Sequence, residues 1–171
     1  MRLLTLVIML LLTGVLGMAA QSNVDAFFSK YKDNDNFTQI NISPKMFQMM
    51  ANLDQDDEES QDVIEVIAGL QGLRILTTDS APDQYYKEFN ASFDSSEYEE
   101  LMTVKENDQN IVFLVKDSNG GNTVNELLLV VGGATEFVLM SFEGEIPLDK
   151  IGKLANGLNI SGAEHLDKLK K

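Results

Sequence analysis

The sequence predicts an α+β fold, an antiparallel β-meander of about four to six strands with helices packed on one face. Residues 99–142 contain four apolar segments of strand length, and short turns rich in Asn, Asp and Gly separate them. Residues 22–93 instead combine helical apolar spacing with two short strand-like segments. We therefore expect the first half of the chain to supply the helices that cover the sheet.

The meander is predicted from four segments in the second half of the chain, at residues 99–105, 110–117, 123–131 and 136–142. The third segment is almost continuously apolar over residues 127–131. A strand with one solvated face would alternate with polar residues, so this segment is expected at the centre of the sheet. Two further strands are predicted upstream, at residues 37–42 and 73–77.

Helix starts are predicted from capping residues. Ser22 is expected to cap a helix that reaches Tyr31, and Ser43 followed by Pro44 is typical of a second helix start. Residues 80–83 have the pattern of a capping box for a third helix. Apolar spacing predicts further helices after residue 60, after residue 147 and after residue 161.

Residues 1–20 are predicted to be a secretory signal peptide, followed by a single α+β domain over residues 21–171. One cationic residue precedes a short apolar run, and small residues follow at Ala19 and Ala20. The run is shorter than the roughly 20 residues that a membrane-spanning helix needs. We expect cleavage near Ala19 or Ala20. The product would be a periplasmic or extracellular protein without a stable membrane anchor.

Composition excludes several classes of function. The chain has no cysteine, which excludes disulfides, thiol catalysis, thiolate metal sites and a lipoprotein anchor. The formal net charge is −14, and loss of Arg2 with the signal would leave 12 cationic against 27 acidic residues, or −15. This charge opposes nucleic acid and anionic lipid, so we expect no nucleic-acid partner.

Three motifs together resemble a known family. They are ISPKMFQMM at residues 42–50, LQGLRILTT at residues 70–78 and EFVLMSFEGEI at residues 136–146. In this order, after a signal peptide, they are similar to the family called domain of unknown function 4252, small exported proteins chiefly of Bacteroidota. The resemblance implies a periplasmic or envelope setting and a link to envelope signalling. The motifs are structural in type, so no catalytic residue is carried over.

Catalytic and cofactor chemistry find little support in the sequence. His165 is the single histidine and lies near the chain end, and no Gly-x-Ser-x-Gly elbow is present. The glycine pairs at residues 120–121 and 132–133 lie between strands, where a turn is the better interpretation than a phosphate cradle. We therefore predict no cofactor, no metal and no enzymatic activity.

Two alternatives stay open because the chain has 27 acidic residues. The first is a carboxylate-based hydrolase acting on envelope material, which would need two acids in one cleft. The second is a calcium-responsive binding module. Residues 33–36 resemble the start of a calcium loop but lack its later ligands, and residues 54–59 form an acidic run.

The leading interpretation is a non-catalytic envelope protein that binds a partner protein or a small apolar ligand. Methionines at 46, 49 and 50 recur at helical spacing, which predicts a core stripe first and an adaptable binding surface second. An aromatic set in the third helix has the same two interpretations. The candidate binding surface is therefore Phe47, Met50, Tyr85 and Tyr86.

Overall fold

The computed structural model describes residues 22–51, 66–106, 108–117 and 121–152. Its helices are α1 (Asn23–Tyr31), α2 (Pro44–Ala51) and α3 (Pro82–Ser92), with 3₁₀ turns at Ser95–Glu97 and Leu148–Lys150. Its strands are β1 (Thr38–Ile42), β2 (Leu70–Thr78), β3 (Glu99–Glu106), β4 (Gln109–Asp117), β5 (Thr123–Gly133) and β6 (Phe137–Pro147). The predicted signal peptide, the acidic run at 54–59, His165 and the predicted terminal helix lie outside the described residues.

One six-stranded antiparallel sheet contains all of these strands, in the order β1-β2-β6-β5-β4-β3. Strands β3 to β6 follow one another as the predicted meander. The two strands from the first half of the chain extend the sheet, because β2 pairs with β6. The predicted α+β class and antiparallel sheet are confirmed, and β5 lies at the centre as expected.

The two faces of the sheet bury different residues of β5. Leu128 and Val130 belong to one buried cluster, which also holds side chains of α1 and α3. Leu127 and Leu129 belong to the other, which holds Phe47 of α2. We call the first the aromatic face and the second the aliphatic face. The prediction that helices pack on one face is therefore corrected: an apolar run of consecutive residues in a central strand points to both sides, so both need cover.

The aromatic face is a set of rings in contact. Phe27 of α1 lies 5.3 Å from Phe89 of α3 and 5.8 Å from Phe137 of β6, measured between ring centroids. The first pair is perpendicular, an arrangement that aromatic rings prefer over a face-to-face stack. These contacts fix α1 and α3 against the middle of the sheet.

Two of the predicted caps have different outcomes. Ser22 caps α1 as predicted, and its Oγ accepts a hydrogen bond of 3.1 Å from the Asp25 backbone N–H. Ser80 does not cap α3: the N-cap position is Ala81, whose φ of 51° is left-handed, and no side chain caps this end. The residue before a proline is kept out of the right-handed helical region, so Pro82 moves the helix start to itself.

Candidate functional site

The four residues predicted to form a binding surface lie on opposite sides of the sheet. Phe47 is buried in the aliphatic cluster, whereas Met50 is 38% exposed. Tyr85 packs on the aromatic face, 4.6 Å from Phe37 between ring centroids. Tyr86 lines a groove beside α3. The structure therefore divides the predicted surface into two separate candidate sites.

The first candidate, the methionine surface, comprises four exposed apolar side chains of β1 and α2. Their exposed fractions are 44% for Ile40, 49% for Met46, 55% for Met49 and 38% for Met50. The expectation that the methionine stripe is mainly core is wrong, because Phe47 takes the buried position. On a helix Phe47 points about 100° away from Met46, so burying its ring turns the stripe outward.

Strand β1 forms one edge of the sheet, and within the described residues no charge, proline or register shift discourages its pairing. Among the described residues its one strand neighbour is β2, and their register is unbroken. Its sequence, TQINI, carries no charge and no proline. The opposite edge, β3, carries three glutamates and a lysine and has a register shift near Glu100. Charges and bulges are the usual protection of an edge strand, so β1 is the less protected of the two described edges.

The second candidate, the Tyr86 groove, is a cavity of about 520 Å³ between α3 and the adjacent ends of β3, β4 and β5. Gly132 and Gly133 contribute to its lining. Its polar lining includes Asp83, Tyr86, Lys87, Lys105, Asp108 and Asn110. The volume lies within the range of small-molecule sites, roughly 300–1,000 Å³.

Tyr86 is held in place from two directions. Its ring lies directly against Gly132, where any Cβ would overlap the ring carbons. Its hydroxyl accepts a short hydrogen bond from the Asn110 side-chain amide. The amide oxygen of Asn110 is buried and finds no donor among the described residues. A buried acceptor without a partner costs free energy, so this amide oxygen is held at a cost to stability.

A buried polar network lies elsewhere on the aromatic face. Glu126 accepts a hydrogen bond of 2.7 Å from the Tyr98 hydroxyl and one of 2.6 Å from the Ser141 hydroxyl. Burial, together with the bond to Glu126, raises the pKa of Tyr98. Both carboxylate oxygens are thus engaged by hydroxyl donors, so this acid is fixed in the fold.

An arginine joins α1 to two strands close to that network. Arg74 of β2 contacts Asp25 of α1 at 2.7 Å and also pairs with Glu143 of β6. Its guanidinium carbon lies 4.5 Å from the centroid of the Phe28 ring. Two carboxylates and one aromatic ring therefore contact the Arg74 side chain. These contacts connect α1 to β2 and β6.

The described residues meet neither the requirements of a metal site nor those of a membrane-spanning helix. Within ranges 22–51, 66–106, 108–117 and 121–152, no group of three or more acids or histidines is placed to hold a metal ion. The loop at 33–36 is a tight turn after α1, in which Asn34 Oδ1 accepts a 2.9 Å hydrogen bond from the Asn36 N–H. In the same ranges, no helix is both long and apolar enough to cross a membrane.

Comparison with known proteins tests the predicted resemblance. The family model described as "Domain of unknown function (DUF4252)" matches residues 31–154, which is 124 of the 171 residues. The match includes β1 to β6 and both candidate sites. Neither the curated proteins nor the solved structures contain a match. The chain therefore belongs to the DUF4252 family.

Proposed function

We propose that the protein is an exported, non-catalytic envelope protein of the Bacteroidota type that binds a partner protein through β1 and the methionine surface. The observation that carries this proposal is an uncharged edge strand together with four apolar side chains of β1 and α2 that are 38–55% exposed. Natural proteins usually protect such an edge, so an open one favours a pairing role.

The partner that fits this surface is an extended polypeptide segment. Such a segment adds a strand to β1 through main-chain hydrogen bonds, while its alternate side chains reach the aliphatic face at Ile40. Methionine side chains are unbranched and adapt to different shapes, so they suit contact with a partner side chain that enters between them. The chain carries a net charge of −14, which favours a neutral or basic segment over an acidic one.

Other functions receive less support. A small apolar ligand is disfavoured because charged side chains contribute to the lining of the cavities beside α3 and beside Tyr98. A carboxylate hydrolase would need a free buried acid, whereas Glu126 is bound by two hydroxyl groups. A calcium-responsive module would show a melting temperature raised by calcium but not by magnesium. Binding to a partner could serve envelope signalling, the role that the family resemblance suggests.

The test begins with a photo-crosslinking amino acid at position 40, introduced into the full chain in its native envelope. Position 148 is the matched control, because Leu148 is similarly exposed at 39% but lies outside β1 and α2. Mass spectrometry then identifies the crosslinked segment. A synthetic peptide with the sequence of that segment is expected to slow hydrogen exchange of the β1 amides. The exchange rates of the β3 amides should not change.

Substitution variants complete the test. Met49→Glu is expected to weaken binding of that peptide about tenfold, equivalent to about 1.4 kcal/mol, because it places a charge in the apolar contact. Leu148→Glu is expected to leave affinity unchanged. The proposal fails if the peptide protects no β1 amide, or if the crosslinked species is a second copy of this chain.

A further inference from the structure

We propose that the Tyr86 groove is a binding site for a neutral carbohydrate. The groove lies at the margin of the aromatic face, whereas the methionine surface belongs to the aliphatic face. This inference is therefore independent of the partner-protein proposal. Three features of the groove identify the ligand class, namely a fixed aromatic ring, side chains that donate and accept hydrogen bonds, and balanced charge.

The aromatic ring of Tyr86 is preorganised. It rests on Gly132, and only the absence of a Cβ at this position permits so close an approach. Its half-buried surface lines the groove. A sugar ring presents a face of C–H groups that packs on an aromatic ring, while its hydroxyl groups reach polar neighbours. An amphipathic ring in a polar cavity favours such a ligand over a wholly apolar one.

The hydrogen-bonding groups of the groove match hydroxyl groups. Asn110 donates one bond to the Tyr86 hydroxyl and keeps a buried amide oxygen without a donor among the described residues. If the Asn110 side-chain amide is flipped, the Tyr86 hydroxyl donates to the amide oxygen, and the amide nitrogen is then the atom without a partner. The leftover atom is buried, so a sugar hydroxyl, which both donates and accepts, pairs instead with the exposed side chains of Asp83, Lys87 and Asp108.

The charges of the groove select against ions. Asp83 and Asp108 offset Lys87 and Lys105, so these four side chains sum to zero. An anionic ligand would meet the repulsion of a chain with net charge −14, and a cationic ligand would find no excess of acid inside the groove. Carboxylates accept and ammonium groups donate hydrogen bonds, and together they serve an uncharged ligand rich in hydroxyl groups.

A second cavity of about 530 Å³ adjoins the groove and shares Asp83 and Lys87 with it. It is lined partly by Ala81, Pro82 and Ala134, which are small or apolar. Two neighbouring compartments suit a chain of several sugar units better than a single sugar. We therefore expect an oligosaccharide to bind more tightly than its monomer.

The test uses protein purified from cells that express the full chain, and titration calorimetry with maltotetraose, cellotetraose and tetra-N-acetylchitotetraose as neutral probes. Tetragalacturonate and dialanine serve as anionic and zwitterionic comparators. At least one neutral tetrasaccharide is expected to bind and to shift the NMR signals of the Gly132 and Asn110 amides. The proposal is overturned if no neutral probe binds at millimolar concentration, or if a comparator binds more tightly.

Variants then locate the site. Tyr86→Ala is expected to weaken binding of the selected tetrasaccharide at least tenfold, and Asn110→Ala to weaken it several-fold. Tyr85→Phe is the matched control, because the neighbouring ring packs against Phe37 outside the groove, and affinity should not change. Unchanged affinity in Tyr86→Ala overturns the proposal. If that variant does not fold, the positions of the shifted amides in the unaltered protein decide.

Discussion

The aromatic and aliphatic faces of the same sheet are stabilised in different ways. On the aromatic face, α1 and α3 are joined by rings and by polar bonds: Glu88 accepts from Lys30 at 2.8 Å and from Tyr31 at 2.6 Å. The ring pairs within contact distance in the described residues all belong to this side. On the aliphatic face, a cluster rich in Leu, Ile and Val carries exposed methionines at its surface.

This difference separates a rigid side from an adaptable one. Ring contacts and hydrogen bonds depend on direction, so they hold α3 and the Tyr86 groove in one geometry. Aliphatic contacts do not depend on direction, and methionine changes rotamer at small cost. A preformed groove for a small ligand on the first side, and a surface that adapts to a polypeptide on the second, follow from the same contrast.

The largest effect is expected from removing a buried ring of the aromatic face. Phe137→Ala removes a fully buried ring that lies 5.8 Å from Phe27 and 6.4 Å from Phe89 between centroids. We expect the free energy of unfolding in urea to fall by about 3–5 kcal/mol, because the surrounding rings cannot close the cavity fully. Met49→Ala, on the methionine surface, should change it by no more than about 0.5 kcal/mol. Similar losses in the two variants would contradict the contrast between the faces.

Sequence patterns predicted the sheet better than the sites, for physical reasons. A continuous apolar run such as residues 127–131 has few places to lie except a sheet centre, so β5 could be placed in advance. Helical spacing showed that Met46 and Phe47 belong to one helix. It did not show which of the two neighbouring helix faces, that of Met46 or that of Phe47, packs against the sheet. The steric demand of Pro82 outweighed the capping preference of Ser80.

The Tyr86 groove could not be predicted because it depends on contacts between distant segments. Gly132 appeared in the sequence as a turn residue, whereas in the fold it supports the Tyr86 ring. Asn110 carried no signal of its own. The pairing of α3 with the end of β5 is set by tertiary packing, which local patterns do not encode. The nearest available signal was the glycine pair at 132–133, at the end of a strong strand.

The second prediction concerns the contribution of buried hydrogen bonds to the stability of the aromatic face. Glu126→Leu leaves the Tyr98 hydroxyl and the Ser141 hydroxyl without their acceptor. We expect a loss of about 2 kcal/mol in the free energy of unfolding. The Ser141 hydroxyl is fully buried, so water cannot take the place of the lost carboxylate acceptor. Ser141→Ala should cost less in the Glu126→Leu background than in the parent. Additive losses would show that the network contributes nothing beyond its separate members.

The control for that cycle is Glu106→Leu, at an exposed position of the edge strand β3. It changes the same kind of charge without burial, so the expected change is within about 0.5 kcal/mol. A loss at this position comparable to that of Glu126→Leu would attribute the effect to net charge instead of the network.

The smallest expected effect is a loss of stability at alkaline pH, and it should depend on residues of the aromatic face alone. Burial and the bond to Glu126 raise the pKa of Tyr98, and burial with Glu88 raises the pKa of Tyr31; both tyrosines belong to the aromatic side. In the unfolded chain a tyrosine ionises near pH 10, while the raised pKa of each of these two keeps it protonated to higher pH in the fold. The unfolded state therefore binds fewer protons above that pH, and stability falls as pH rises.

Urea unfolding between about pH 9 and about pH 10.5 should show this loss, at most about 0.8 kcal/mol from each tyrosine. Tyr98→Phe is expected to be less stable at neutral pH, since Glu126 loses a donor, yet to show a shallower decline over that interval. Met49→Ala is expected to keep the slope of the parent, because the methionine surface holds no titrating group. A decline as steep in Tyr98→Phe as in the parent would assign the alkaline sensitivity to residues outside the network around Glu126.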